Sequence, residues 1–236
     1  MNIKDIWNKI VKNKAAKKAA KKDTSTNGGI VIETPRLILR EHTLEDADRI
    51  EEITNSEGFF YYCFDGTREK VDEFIREAIR TQTPDPVTGR RPNHMLAIIL
   101  KETGEVIGHT CMEAVNYVKG ADYEVNFFVD PQFQNKGYGI EAILNLTDWG
   151  YKEYGLPSMT VTVDPNNGPS RHLIIKEGYE KVDDITMKTV NGTEPRELYI
   201  QTREKFYEQR AKDKRPILMS PPVAPAPAPT TPAPKP

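Results

Sequence analysis

Cysteine is scarce in this chain. Two in 236 residues, Cys63 and Cys111, cannot staple a small secreted scaffold, and they stand in no spacing that would complete a metal-ligand set. They suit free thiols in a reducing cytosol, with one disulfide between them left open. The four histidines, His42, His94, His109 and His172, show no metal spacing either, so no metal site is expected. Long apolar runs are missing: none approaches the roughly 20 residues that span a bilayer, so no transmembrane segment is expected. The N-terminus has no apolar stretch followed by a small-residue cleavage site, which argues against a secretory signal. A cytoplasmic location is the expectation. Aromatic residues vanish from 216–236, where Pro and Ala dominate, and such a tail favours extended chain and buries no core. Residues 1–29 are rich in Lys and Ala and read as an N-terminal extension. The remainder, 30–215, is the size of one domain.

The near-neutral net charge of −2 conceals an imbalance. Residues 1–22 carry eight lysines against Asp5 alone, a charge of +7, which leaves −9 for the rest. An acidic domain draws in cationic substrates such as amines. In the extension, Ile3, Ile6, Trp7, Ile10 and Val11 fall on one helical face ahead of the lysine block. That pattern fits an anionic membrane surface, a ribosome or other RNA contact, or merely a solvated tail.

What is present begins with Val125-Asn-Phe-Phe-Val-Asp-Pro-Gln-Phe-Gln-Asn-Lys-Gly-Tyr-Gly-Ile-Glu-Ala142. Val125 to Val129 reads as a buried strand and Asp130 to Lys136 as a polar loop. Gly137 and Gly139 then open an amphipathic helix. The unpaired N–H groups of a first helical turn, aided by the helix dipole, bind anions. Glycines let that backbone approach a diphosphate closely. The spelling also satisfies G-x-G-x-x-A of dinucleotide-binding domains, with Asp164 placed for a ribose contact. Against that rival, several polar residues separate strand from first glycine, and too little sequence follows for a full dinucleotide sheet.

Periodicity supplies the rest. Ile30–Arg40 reads as a strand with Pro35 at an edge or bulge. Helices are expected from Thr43, which has capping-box spacing to Asp46, to about Thr54, and from Thr67 to Gln82. Between them Gly58–Phe64 is a dense aromatic loop, either core or the wall of a groove. Strands are expected at Met95–Lys101, Val106–Ala114, Tyr123–Asp130 and Met159–Asp164. Helices follow at Gly137–Tyr154 and Pro169–Glu177, and a hairpin turns at Asn191-Gly192 between Lys181–Val190 and Glu197–Thr202.

Three ordered motifs across about 30–203 give a resemblance. Gln134-x-x-Gly137-x-Gly139 resembles the acyl-CoA diphosphate loop of the GNAT N-acetyltransferases. Asn167-x-x-Ser170, followed by a helix and Gly178-Tyr179, is similar to that family's second motif. Thr34-Pro-Arg-Leu-Ile-Leu-Arg40 with Thr43-x-x-Asp46 looks like the opening of the RimJ/RimL-type branch. The resemblance implies an α+β fold with a central mixed sheet flanked by helices, acetyl-CoA as donor, and direct attack by an amine. It implies cofactor contacts from Phe128, Val129, Gln134, Asn135, Lys136, Gly137, Tyr138, Gly139, Ile140, Asn167 and Ser170. Asn167 and Ser170 would serve equally as helix caps. In the family a backbone N–H at a bulge in the strand before the glycine loop holds the thioester oxygen, which maps near Phe127–Val129. Glu124 occupies the position of a strand carboxylate that takes the amine proton, and Ser170 that of a proton donor to the thiolate. Two departures stand out. Ile174 fills the position where many members place a Tyr acid, and Lys188 falls where RimL-like members place a carboxylate. The resemblance leads to a protein N-terminal α-amine as acceptor, with a polyamine or aminoglycoside, or a non-catalytic acyl-CoA-binding module, as alternatives.

Overall fold

A computed structural model describes residues 29–61, 63–118, 120–213 and 215. The lysine-rich arm and the Pro/Ala tail, and the readings made of them, lie outside the described residues. Eight strands form one sheet in the order β1-β2-β3-β4-β5-β6-β8-β7. They are β1 Val31–Glu33, β2 Leu37–Glu41, β3 Asn93–Leu100, β4 Val106–Val118, β5 Ala121–Val129, β6 Ser158–Val163, β7 Glu180–Thr189 and β8 Gly192–Thr202. Among the described residues five α-helices accompany them: α1 Ala47–Thr54, α2 Arg68–Arg80, α3 Tyr138–Tyr154, α4 Gly168–Lys176 and α5 Arg203–Lys212. The expected α+β architecture with a mixed sheet is what forms.

The core follows strand alternation. Leu96, Ile98 and Leu100 of β3 pack toward α3 with Ile143, Leu146 and Tyr151. Ala97 and Ile99 turn the other way, against Ile50 and Ile53 of α1 and Val71 and Ile75 of α2. Both faces are therefore covered, which is why β3 reads as an unbroken apolar run rather than an alternating one.

Two elements differ from the sequence expectation. The single opening strand is two, broken at Thr34–Arg36, because Pro35 has no N–H to give a ladder and fixes a turn. Helix α5 was not foreseen: its ten residues are mostly charged, and only Phe206 and Arg210 are buried. Phe206 stacks edge-on against Tyr151 of α3 at 5.3 Å, so tertiary packing rather than an apolar stripe holds this helix.

Every described neighbouring pair in the sheet is antiparallel except β5 and β6. Those two run parallel, and a single Cα pair, Glu124 with Thr160, joins them in register. Beyond it the strands part.

Candidate active site

The parting of β5 and β6 begins at a side chain. In a parallel ladder the bonds alternate, so after Thr160 the next β6 donor facing β5 is the Thr162 N–H. It donates instead to Glu124 Oε1 at 2.9 Å, and the Thr162 hydroxyl donates to the same oxygen at 2.6 Å. Glu124 thus caps the end of the ladder. A cleft of about 970 Å³ opens from there, lined by Glu124–Val129 of β5, Val161–Asp164, the loop and first turn of α3, and α4.

Glu124 is 5% exposed. Burial pushes its carboxyl up to about 7, against the pull of the Thr162 and Tyr117 hydrogen bonds. Glu113, directly across the β4–β5 ladder, adds like-charge repulsion. A carboxylate that titrates near neutrality at the apex of a cleft can take a proton from a bound amine.

Backbone donors stand beside it. Asp130 N–H donates to Ile107 O on the β4 side. By the two-residue alternation the N–H groups of Phe127 and Val129 point the opposite way, where β6 has moved off. They are placed to hold an oxyanion. The bulge expected here is not formed: the β4–β5 register runs unbroken from Tyr123 to Val129, and divergence of the neighbouring strand frees the N–H groups instead. Phe128 lines the cleft, but alternation turns its N–H toward β4.

The loop before α3 is shaped for an anion. Asn135 and Gly137 both take left-handed backbone, at φ 59° and 79°. Gln134 Nε2 donates to Val129 O at 3.0 Å and folds the loop back on the strand. Gly137 caps α3, so the N–H groups of Tyr138, Gly139 and Ile140 open the helix without partners from its own turn. Gly139 has a separate reason to be glycine: a Cβ there would lie 2.3 Å from Cε2 of Phe127. Gln134, Asn135, Gly137, Tyr138, Gly139 and Ile140 all line the cleft, as do Phe128 and Val129. Lys136 does not. Its ammonium lies over the Phe133 ring at 5.1 Å and its carbonyl accepts from Arg36.

On the far wall, Asn167 caps α4 through Oδ1, which accepts the Ser170 N–H at 3.1 Å. The cap uses one acceptor; among the described residues the Asn167 Nδ2 donors and the Ser170 hydroxyl make no hydrogen bond within the protein. Both residues line the cleft. Ile174 also lines it, 5% exposed, so the position of the expected Tyr acid is apolar wall. Lys188 lies on the exposed strand β7, outside the cleft. Asp164 spends one oxygen on the Asn166 N–H at 2.8 Å, turning the chain into α4.

Of the two readings of the aromatic loop, core or groove wall, its first residues take the second and its end the first: Phe64 is buried in the core. Phe60 and Tyr61 of the aromatic loop reach the cleft, and the Tyr61 hydroxyl donates to Asn126 Oδ1 at 2.6 Å. Arg196 of β8 lines it too. Nothing local marks Arg196, because β8 reaches the cleft only through its pairing with β6. Of the histidines, His172 lines the cleft, whereas His42 and His109 are buried together, Nε2 to Nδ1 at 3.0 Å, and His94 meets the Tyr154 hydroxyl at 2.6 Å.

This geometry has counterparts. Residues 36–180 match the model of the Acetyltransferase (GNAT) domain. An uncharacterized N-acetyltransferase, YnaD of Bacillus subtilis (strain 168), is 27% identical over 152 residues, covering 64% of this chain and 82% of that protein. Among solved structures, a spermidine N-acetyltransferase from Vibrio cholerae in complex with CoA and spermine superimposes with a TM-score of 0.57 at 16% identity, over 73% of this chain and 98% of that one. A Vibrio cholerae protein provisionally named a ribosomal-protein-serine acetyltransferase gives a TM-score of 0.61 at 18% identity, over 73% and 97%. A left-handed glycine loop at a helix start, beside a cleft between two parted strands, fits a long diphosphate-bearing thioester. The chain belongs to the GNAT family of N-acetyltransferases, whose acetyl donor is acetyl-CoA.

Proposed function

We propose that this enzyme acetylates the α-amine of a protein N-terminus, as the RimJ/RimL-like opening motif suggests. The observation that carries the reading is Glu124, set at the apex of the cleft with its carboxyl pushed up to about 7. An α-ammonium titrates at about 8 and an alkylammonium at about 10.4. Whatever the value for Glu124, it has about two units less to overcome with an α-amine than with a polyamine or lysine. General-base catalysis favours the matched pair.

In this reading Glu124 takes the amine proton, directly or through one water. The neutral nitrogen attacks the thioester carbon. The N–H groups of Phe127 and Val129 hold the oxygen as it gains charge. The carbon–sulfur bond breaks, the nitrogen, cationic after its attack, gives up one more proton to become the amide, and that proton is relayed through the Ser170 hydroxyl to the sulfur. Gln134, Asn135, Gly137, Tyr138, Gly139 and Ile140 hold the diphosphate, and Asn167 reaches the arm of the cofactor. A second reading, a polyamine acceptor, draws on Glu113 as a further carboxylate beside Glu124 and on the spermidine enzymes among the structural neighbours. A thiol-release assay with acetyl-CoA decides between them, using peptides with free N-termini, spermidine and an aminoglycoside. Faster turnover of spermidine than of every peptide would overturn the α-amine assignment.

A further inference from the structure

One side chain outside the cleft touches both ends of the cofactor loop. Arg36 sits in the turn between β1 and β2. Its Nη1 donates to the Lys136 carbonyl at 2.9 Å, just before Gly137. Its Nε donates to Glu141 Oε2 at 2.7 Å, just after Ile140. Its guanidinium lies 4.5 Å from the centre of the Tyr138 ring, and a Cβ on Gly137 would stand 3.4 Å from Nη2. The segment 137–140 is thus bracketed by one planar fork.

Glu141 makes the bracket rigid. It is fully buried in the first turn of α3. Its Oε1 accepts from the Thr34 hydroxyl at 2.6 Å and from the Arg36 N–H at 2.9 Å. A buried carboxylate needs such partners. It also stands next to the helix N-terminus that must receive phosphate, so an unneutralised charge there would repel the ligand. Arg36 removes that repulsion and fixes the loop carbonyl at once. Lysine could do the first and not the second, because it lacks the fork.

We propose that Arg36 is a positioning residue that sets the shape of the diphosphate loop before acetyl-CoA arrives, with Thr34 and Glu141 as its anchor. The inference rests on acetyl-CoA as donor and is independent of which amine accepts. CoA binding by calorimetry, melting temperature and backbone amide exchange are measured for wild type, Arg36→Lys and the double variant Arg36→Ala/Glu141→Gln. The double variant leaves no buried charge unpaired. Arg36→Lys should melt within about 2 °C of wild type yet bind CoA about 10-fold more weakly. The double variant should lose at least as much affinity, and in both the amides of 134–139 should exchange faster while those of β3 and β4 do not. CoA affinity within about twofold of wild type in both variants would overturn the proposal. So would affinity losses that track melting temperature and come with faster exchange throughout the sheet.

Discussion

Glu124 does two jobs with one carboxylate. Its Oε1 ends the β5–β6 ladder by accepting from Thr162, and its raised carboxyl is the base of the proposed mechanism. The second job has a cost in stability with a defined sign. The unfolded side chain ionises near 4.5 and the folded one at about 7. Between those values the native state holds a proton that the unfolded chain has lost, so stability falls as pH rises through the window. Glu124→Gln should therefore be more stable than wild type at about pH 8, by about 3 kcal/mol, and equal to it at about pH 4. Denaturant titrations at the two pH values check this. The same variant should lose about 100-fold in kcat and the acidic limb of the pH–rate profile. Ser170→Ala belongs to the same scale. It keeps the α4 cap, which uses the Asn167 side chain and the Ser170 backbone, and so should leave CoA affinity unchanged while lowering kcat about 10-fold. Wild-type kcat in both variants would remove these residues from the chemistry.

At the scale of elements, the start of α3 shows which constraints a sequence reveals. The two glycines announced an anion loop, and the structure gives each its own reason: Gly137 needs left-handed backbone, whereas Gly139 needs room for the Phe127 ring. Alanine in a helix is ordinarily worth up to about 1 kcal/mol over glycine. Gly139→Ala should forfeit that gain and displace Phe127 into the cleft. Calorimetry should then find CoA binding weakened about 10-fold, with helix content by circular dichroism unchanged. The opening motif was legible as a pattern and not as a mechanism. Arg36 reaches Glu141, and Arg40 grips Asp46 with two bonds of 2.7 Å, while the Thr43 N–H donates to Asp46 as the capping-box spacing foretold. The first pairing spans 105 residues, and no local rule brings such residues together. Glu141 stood in plain view inside the glycine motif, an acid at a helix start. Only its complete burial shows that it is an anchor rather than a solvated first-turn carboxylate. Helix α5 escaped notice for the opposite reason. Beyond Phe206 on Tyr151 its anchors are polar, Tyr207 on Asp148, Gln209 on the Lys176 carbonyl and Arg210 on Glu177, and such anchors carry no apolar period.

For the whole molecule, apolar periodicity and turn chemistry made most of the elements legible in chain order, with mixed strand directions, but not the order in which the strands lie in the sheet. The cleft did not follow in the same way. Arg196 comes to it from a strand whose own sequence says nothing of a ligand, and the aromatic loop that supplies Phe60 and Tyr61 read equally well as core. The lysine-rich arm adds a question of location. With +7 on residues 1–22 and −9 on the remainder, the arm is expected to carry the enzyme to a polyanionic surface without entering the chemistry. Full-length protein should co-sediment with anionic vesicles or with ribosomes, and the association should weaken steeply between low and moderate salt. Protein lacking residues 1–29 should not co-sediment, yet should turn over a small amine at the full rate. Trp7→Ala separates the two surfaces, since a membrane needs the apolar stripe and RNA needs the lysines. Equal sedimentation of the truncated protein would dismiss the arm as an address.

The eight strands share one sheet, yet among the described residues a single rung, Glu124 with Thr160, ladders its two parts together, and what else joins them is the core beneath α3. On one side β1–β5 are laddered continuously; on the other β6, β8 and β7 form their own antiparallel set. The seam between them opens into the candidate active-site cleft. Such a molecule has a natural first fracture line, and local opening would follow it before either half loses its own hydrogen bonds. Heat would then silence the enzyme while its spectrum still looked folded. A thioester lying across the seam would act as a rivet, so that the donor, besides feeding the reaction, would keep the two halves of the catalyst in one piece.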